Sequence, residues 1–140
     1  MRKAVMISVR GQQNYADQEP EVIELVTEGI LEDTDDGWRL SYEESDLTGM
    51  QGVMTTFLVQ DGVITLIRSG KLNSEMVFRV GVSHDSLYQV EFGALMLTVC
   101  ATKVESCITQ EGGTIDVRYN IEIEQNAMGE IDYHLDIKSK

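Results

Sequence analysis

Two stretches near the end of the chain alternate apolar and polar residues without a break. Ile115, Val117, Tyr119, Ile121 and Ile123 are separated by Asp116, Arg118, Asn120 and Glu122. Ile131, Tyr133, Leu135 and Ile137 are separated by Asp132, His134 and Asp136. Successive side chains of a strand point to opposite faces, so each stretch has one apolar and one solvated face. The same period, less regular, runs through most of the chain. It predicts strands at Ala4–Arg10, Val22–Leu31, Trp38–Glu43, Val53–Gln60, Val63–Arg68, Glu75–Val80, Asp85–Val90, Ala94–Thr102, Ser106–Gln110, Thr114–Gln125 and Glu130–Lys138. Asp35-Asp36-Gly37, Asp61-Gly62, Gly81, Phe92-Gly93, Gly112-Gly113 and Met128-Gly129 supply turn signals between them. Asp61-Gly62 is the strongest hairpin signal, because both residues accept positive φ. Short connections make strands that are neighbours in this order pair in space. Val22–Ile30 also admits a helix opened by Asp17 and Pro20, with Val22, Val26 and Ile30 on one face. Crowding by β-branched residues and the interruption at Gly29 favour a strand.

The middle strands depart from clean alternation. Val53, Phe57 and Val59 oppose Met54 and Leu58; Val63 and Ile67 oppose Ile64 and Leu66; Met76, Phe78 and Val80 oppose Val77. Leu95, Leu97 and Val99 likewise oppose Met96 and Cys100. A barrel has one interior, so a second apolar face needs cover of its own. The expectation is a homodimer packed through Val53–Val80. The competing cover is the chain's own segment Gln12–Glu19.

Composition adds three constraints. At 140 residues the chain fits one domain with a real core. Its 24 Asp and Glu against 11 Lys and Arg give a formal charge of −13, which repels phosphate backbones and anionic lipid heads. Neither nucleic acid nor a membrane is expected as a partner. Met1–Arg10 carries a short apolar stretch closed by Arg10, with no cleavage site after it, and reads as a first strand rather than a signal peptide. The expected location is the cytoplasm, where Cys100 and Cys107 stay reduced and pack as small apolar groups. A turn at Lys103-Val104 would set the two cysteines face to face, although Lys-Val is a poor turn pair.

Glu21–Gly29, Ser41–Gly49 and Asn73–Phe78, in that order, resemble the signature stretches of the YwiB-like family of small bacterial proteins, a domain of unknown function. The likeness runs over nearly the whole chain and is loosest at Gln12–Gln18 and Ala127–Lys140. It implies an all-β, calycin-like (lipocalin-like) antiparallel barrel of about 8–10 strands, mostly up-and-down, and supports a strand at Val22–Leu31. It implies no activity and no catalytic residues.

Candidate chemistry is sparse. Tyr42-Glu43-Glu44-Ser45-Asp46 is the densest polar stretch, but Glu43 and Glu44 face opposite ways on a strand, and the spacing of a calcium loop is absent. In an acidic chain such a run reads first as a solvated strand end. Arg68 shares a face with Ile64 and Leu66. If that face is lumenal, its planar fork suits a ligand carboxylate, or else an internal partner such as Glu44. His84-Asp85-Ser86 holds the letters of a triad in an order that no strand makes into one. Neither His84 nor His134 has the neighbours of a metal site, and both read as surface or strand-end residues. Trp38, Leu40 and Tyr42 read as a core face rather than a base-stacking platform. The favoured function is non-enzymatic binding of a small apolar or amphipathic, carboxylate-bearing ligand. Arg68, Glu44, Tyr42, Trp38, Phe57, Met76 and Phe78 would line the pocket, with no cofactor or metal. The alternatives are a protein-interaction module using the doubly apolar strands, and an enzyme with Glu44 and His84 at the barrel mouth.

Overall fold

The structure, a computed structural model, describes residues 1–15, 18–45 and 48–140. Asp17, considered as a helix cap, and Asp46, from the carboxylate-rich stretch, lie outside the described residues. Ten strands form one antiparallel sheet: β1 (Arg2–Tyr15), β2 (Glu21–Thr34), β3 (Gly37–Glu43), β4 (Val53–Gln60), β5 (Val63–Gly70), β6 (Ser74–Phe78), β7 (Ser83–Val90), β8 (Gly93–Thr109), β9 (Gly112–Ile123) and β10 (Asn126–Ser139). Their order in the sheet is β6-β5-β4-β3-β2-β1-β10-β9-β8-β7. Every pair is either a sequence-adjacent hairpin or the pairing of the two terminal strands, Val5–Tyr15 against Gly129–Ser139. This is the up-and-down calycin-like barrel that the family resemblance implies.

The sheet curls until its two edges almost meet. Asn73 and Gln89 exchange backbone hydrogen bonds of 2.9 and 2.8 Å. Farther along, the Gly81 amide donates to the Ala101 carbonyl at 3.0 Å. Between these points the Val77 amide donates to His84 Nδ1 at 3.4 Å. A closed wall hides strand edges that would otherwise template pairing with other chains.

Two local corrections arise from irregularities in pairing. Ala94–Thr102 and Ser106–Gln110 are one strand, β8, not a hairpin. The register shifts between Ala101 and Lys103, so one extra residue is inserted at Thr102. Inward residues are Leu97, Val99 and Ala101 before the shift, while Val104 and Ile108 pack on the core after it. The phase change looks like a turn in the sequence. Cys100 and Cys107 therefore lie seven residues apart on one strand, roughly 23 Å at the usual strand rise, and face Asn120 and Thr114 instead of each other. Both are free thiols, and Cys107 is exposed rather than packed.

The β9–β10 turn also sits elsewhere than at Met128-Gly129. Glu124 and Gln125 make it, with φ of 50° and 69°. Gly129 instead serves a close approach: a Cβ there would stand 2.4 Å from the Asn14 carbonyl oxygen on β1. Two successive left-handed residues that are not Gly or Asn store strain. Replacing Gln125 with glycine, which leaves the Glu124 carboxylate on the Met96 amide, should therefore stabilise the protein by about 1 kcal/mol, read as a higher denaturation midpoint. An unchanged midpoint would mean that the turn costs nothing as it stands.

Candidate functional site

The register stacks inward-facing side chains into rows across β3–β6. Trp38, Val59, Ile64 and Phe78 form the lowest row, and Leu40, Phe57, Leu66 and Met76 the next. Tyr42, Thr55, Arg68 and Ser74 form the third, and all four are buried. Above this row the Glu44 amide bonds to the Val53 carbonyl. Below it the barrel is full: Ile7, Leu31, Leu40, Phe57, Phe78, Ile115 and Leu135 are all 2% exposed or less. Above it lies a cavity of about 510 Å³, a volume in the usual range for small-molecule sites. Its walls are mostly apolar, with Val9, Leu25, Leu97, Ile121 and Ile131 among them, and Tyr15, Tyr88, Tyr119 and Tyr133 supply aromatic faces.

Arg68 forms a bar between the two halves. It is 9% exposed, and its Nη2 crosses the lumen from β5 to donate to the Tyr133 hydroxyl on β10 at 3.1 Å. The Tyr133 ring packs closely over Gly11, where a Cβ would come within 3.1 Å of it. Tyr133 lies 6.5 Å from Tyr119, near-parallel, and Tyr119 packs 4.5 Å from Phe78. Arg68 Nε has no hydrogen-bond partner, and neither does the buried Ser74 hydroxyl beside it nor the Ser86 hydroxyl on β7. Among the described residues Arg68 makes no ion pair, so the expectation of an internal carboxylate partner is not met.

The charges around the cavity follow from this placement. Burial is the largest influence on Arg68 and works against its cation; what raises its pKa is attraction to the hydroxyls of Tyr133, Tyr119 and Tyr42, an attraction at full strength only once a phenol has ionised. Burial pushes the Tyr119 phenol well up. Burial, and then the Glu44 carboxylate, push the Tyr42 phenol up, against an opposing pull from Arg68. Tyr42 and Tyr119 are thus neutral at pH 7 and offer Arg68 dipoles, not a countercharge. Glu44, 8% exposed, accepts from Thr48 Oγ1 at 3.0 Å and Thr55 Oγ1 at 3.2 Å.

Of the residues singled out from sequence, the fold brings Arg68, Glu44, Tyr42 and Met76 to the cavity. Phe57 and Phe78 belong to the filled half, and Trp38 packs at its far end. His84 is not at the mouth with Glu44: half-buried at the start of β7, it accepts from β6 across the seam. Sequence reading missed Tyr119 and Tyr133 as lumenal groups. Their place on the apolar face of faultless strands was the available signal.

His134 is on the outer wall, not free in solvent. Its Nδ1 lies 2.6 Å from Asp116 and its Nε2 3.1 Å from Asp136. The bond to Asp116, opposed by partial burial and reinforced by the charges of Asp116 and Asp136, raises its pKa. A raised pKa adds stability below the unfolded value of about 6.5, and that contribution fades as pH climbs through the folded value. An NMR titration should place the His134 midpoint above about 6.5, and Asp116→Asn should bring it down. A wild-type midpoint at or below that value would contradict the pairing.

Comparison with known proteins agrees with this architecture. Residues 7–137 match the family model described as a domain of unknown function, DUF1934. The uncharacterised β-barrel protein YwiB of Bacillus subtilis (strain 168) is 30% identical over 107 residues, covering 76% of this chain and 74% of that protein. The crystal structure of the same B. subtilis protein superposes with a TM-score of 0.88 at 23% identity, over 99% of this chain and 93% of that one. With this match to the family model along almost its entire length, the chain belongs to the DUF1934 family of YwiB-like β-barrels.

Proposed function

We propose that the protein binds a small amphipathic molecule in the upper half of the barrel, with an anionic group of the ligand on Arg68. The observation that carries this reading is a guanidinium nine-tenths buried beside a 510 Å³ apolar cavity, with Nε unpartnered and no countercharge among the described residues. Burying a cation without its complement is costly, and a ligand carboxylate on the guanidinium fork supplies it. Ser74, adjacent on β6, adds an unused hydroxyl. The role is one of binding rather than catalysis, in the cytoplasm. Native mass spectrometry of protein purified from a cell extract tests the reading. Retention of an acidic small molecule by wild type but not by Arg68→Met supports it. A bare mass for both, with no carboxylate binding at millimolar concentration, rejects it.

A second reading, self-association, concerns the outer wall. Ile64 and Leu66 are fully buried inside, on the face they share with Arg68. Met54, Leu58, Val63, Ile67 and Val77 face outward, interleaved with Thr56 and Thr65 across paired strands. Although the chain as a whole is strongly acidic, this stripe carries no charge at its centre, which favours a second copy packing against it. Light scattering at micromolar concentration should give twice the chain mass, and Leu58→Glu should return it to the monomer. A monomer mass for wild type would discard the dimer.

A further inference from the structure

Arg68 is not the only buried charge that meets the cavity. Glu44 lines the same space, is as deeply buried, and among the described residues has no cationic partner. The two charges do not pair with each other, because each is held by neutral groups. Thr48 and Thr55 hold the carboxylate, and Tyr133 draws the guanidinium across the lumen. Thr55 sits between them, opposite Arg68 in the ladder and donating to Glu44. Tyr42 shares the row of Thr55 and Arg68, and its hydroxyl bonds to Glu44.

An ionised carboxylate offers about four acceptor sites; two of those on Glu44 are taken by threonine hydroxyls and a third by the Tyr42 hydroxyl. The site that remains suits an ammonium. A ligand bearing only an anion would satisfy Arg68 and leave Glu44 buried without a counterion. A ligand bearing only a cation would do the reverse. We infer that the cavity takes a zwitterion of the amino-acid class: a carboxylate on Arg68, an ammonium on Glu44, and an apolar or aromatic body against the walls. The tyrosines around the space favour an aromatic body, which packs on them edge-to-face or offset. This inference rests on the binding role proposed above and specifies its ligand.

Three probes share one ring and differ only in charge: phenylalanine, 3-phenylpropanoate and 2-phenylethylamine. Calorimetric titration of wild type should rank phenylalanine first by about tenfold, the worth of one charge-assisted bond. Glu44→Gln should remove that advantage and bring phenylalanine down to the level of 3-phenylpropanoate, whose own affinity should not change. Arg68→Met should weaken both acids. If wild type binds 3-phenylpropanoate as tightly as phenylalanine, the zwitterion assignment falls and the anion-binding role stands. If 2-phenylethylamine binds best, both fall. Because wild type alone ranks the three probes, the comparison decides even if a variant does not fold.

Discussion

Replacing Arg68 with methionine is expected to stabilise the empty protein while abolishing its affinity for carboxylates. The guanidinium is buried, lacks a countercharge among the described residues, and carries one nitrogen with no partner at all. An unsatisfied buried polar group costs about 1–3 kcal/mol by mutational measure. Methionine keeps the unbranched apolar stem, ends two atoms short of the guanidinium nitrogens where the cavity already begins, and fills irregular space. Its one clear loss is the bond to Tyr133, whose hydroxyl can turn to water in the cavity. A net gain of about 1–2 kcal/mol should raise the melting temperature by roughly 4–8 °C for a chain of this size. A binding site that sacrifices stability for function behaves in this way. If Arg68→Met instead melts several degrees lower, Arg68 is a structural strut, and its bridge to Tyr133 is what the barrel needs from it.

The opposite result is expected one row below. Phe57 is 2% exposed in the filled half, between Leu40 and Leu66 in the ladder. Truncating a buried Phe to Ala costs about 3–5 kcal/mol, because the packed surroundings collapse only partly into the gap. Leu25→Ala, on the cavity wall, should cost clearly less, since that side chain already borders open space. Chemical denaturation of the two variants compares the halves of the barrel directly. Equal losses would show that the upper half is as tightly packed as the lower and that the cavity is not a standing feature of the fold.

Most of the strands can be read from the chain because period-two alternation and glycine-bearing turns are local properties. Thr114–Gln125 alternates because one wall is wet, and Asp61-Gly62 turns because both residues accept its backbone angles, with Gly62 at φ 72°. The two misread stretches are those where a non-local contact overrides the local signal. The inserted residue at Thr102 flips which residues face the core, and it is meaningful only against its partner strand β9. Gly129 looks like a turn glycine, but what it accommodates is the backbone of β1, more than a hundred residues away.

The candidate site divides along the same line. Arg68 is identifiable as unusual because a long cationic side chain sits in register with Ile64 and Leu66. What the chain alone does not contain is where the lumen stops being filled. That depends on how ten strands stack their inward residues in rows. Phe57 and Phe78 fall among well-packed neighbours, while Tyr42, Glu44 and Met76 fall at the border of open space. It also depends on a partner 65 residues away: Tyr133 draws the Arg68 guanidinium across the barrel. The periodic apolar face and the one charged residue within it are set by the sequence of each strand. Cavity, orphaned nitrogen and unpaired carboxylate exist only once the sheet has closed, because they are properties of the space between strands.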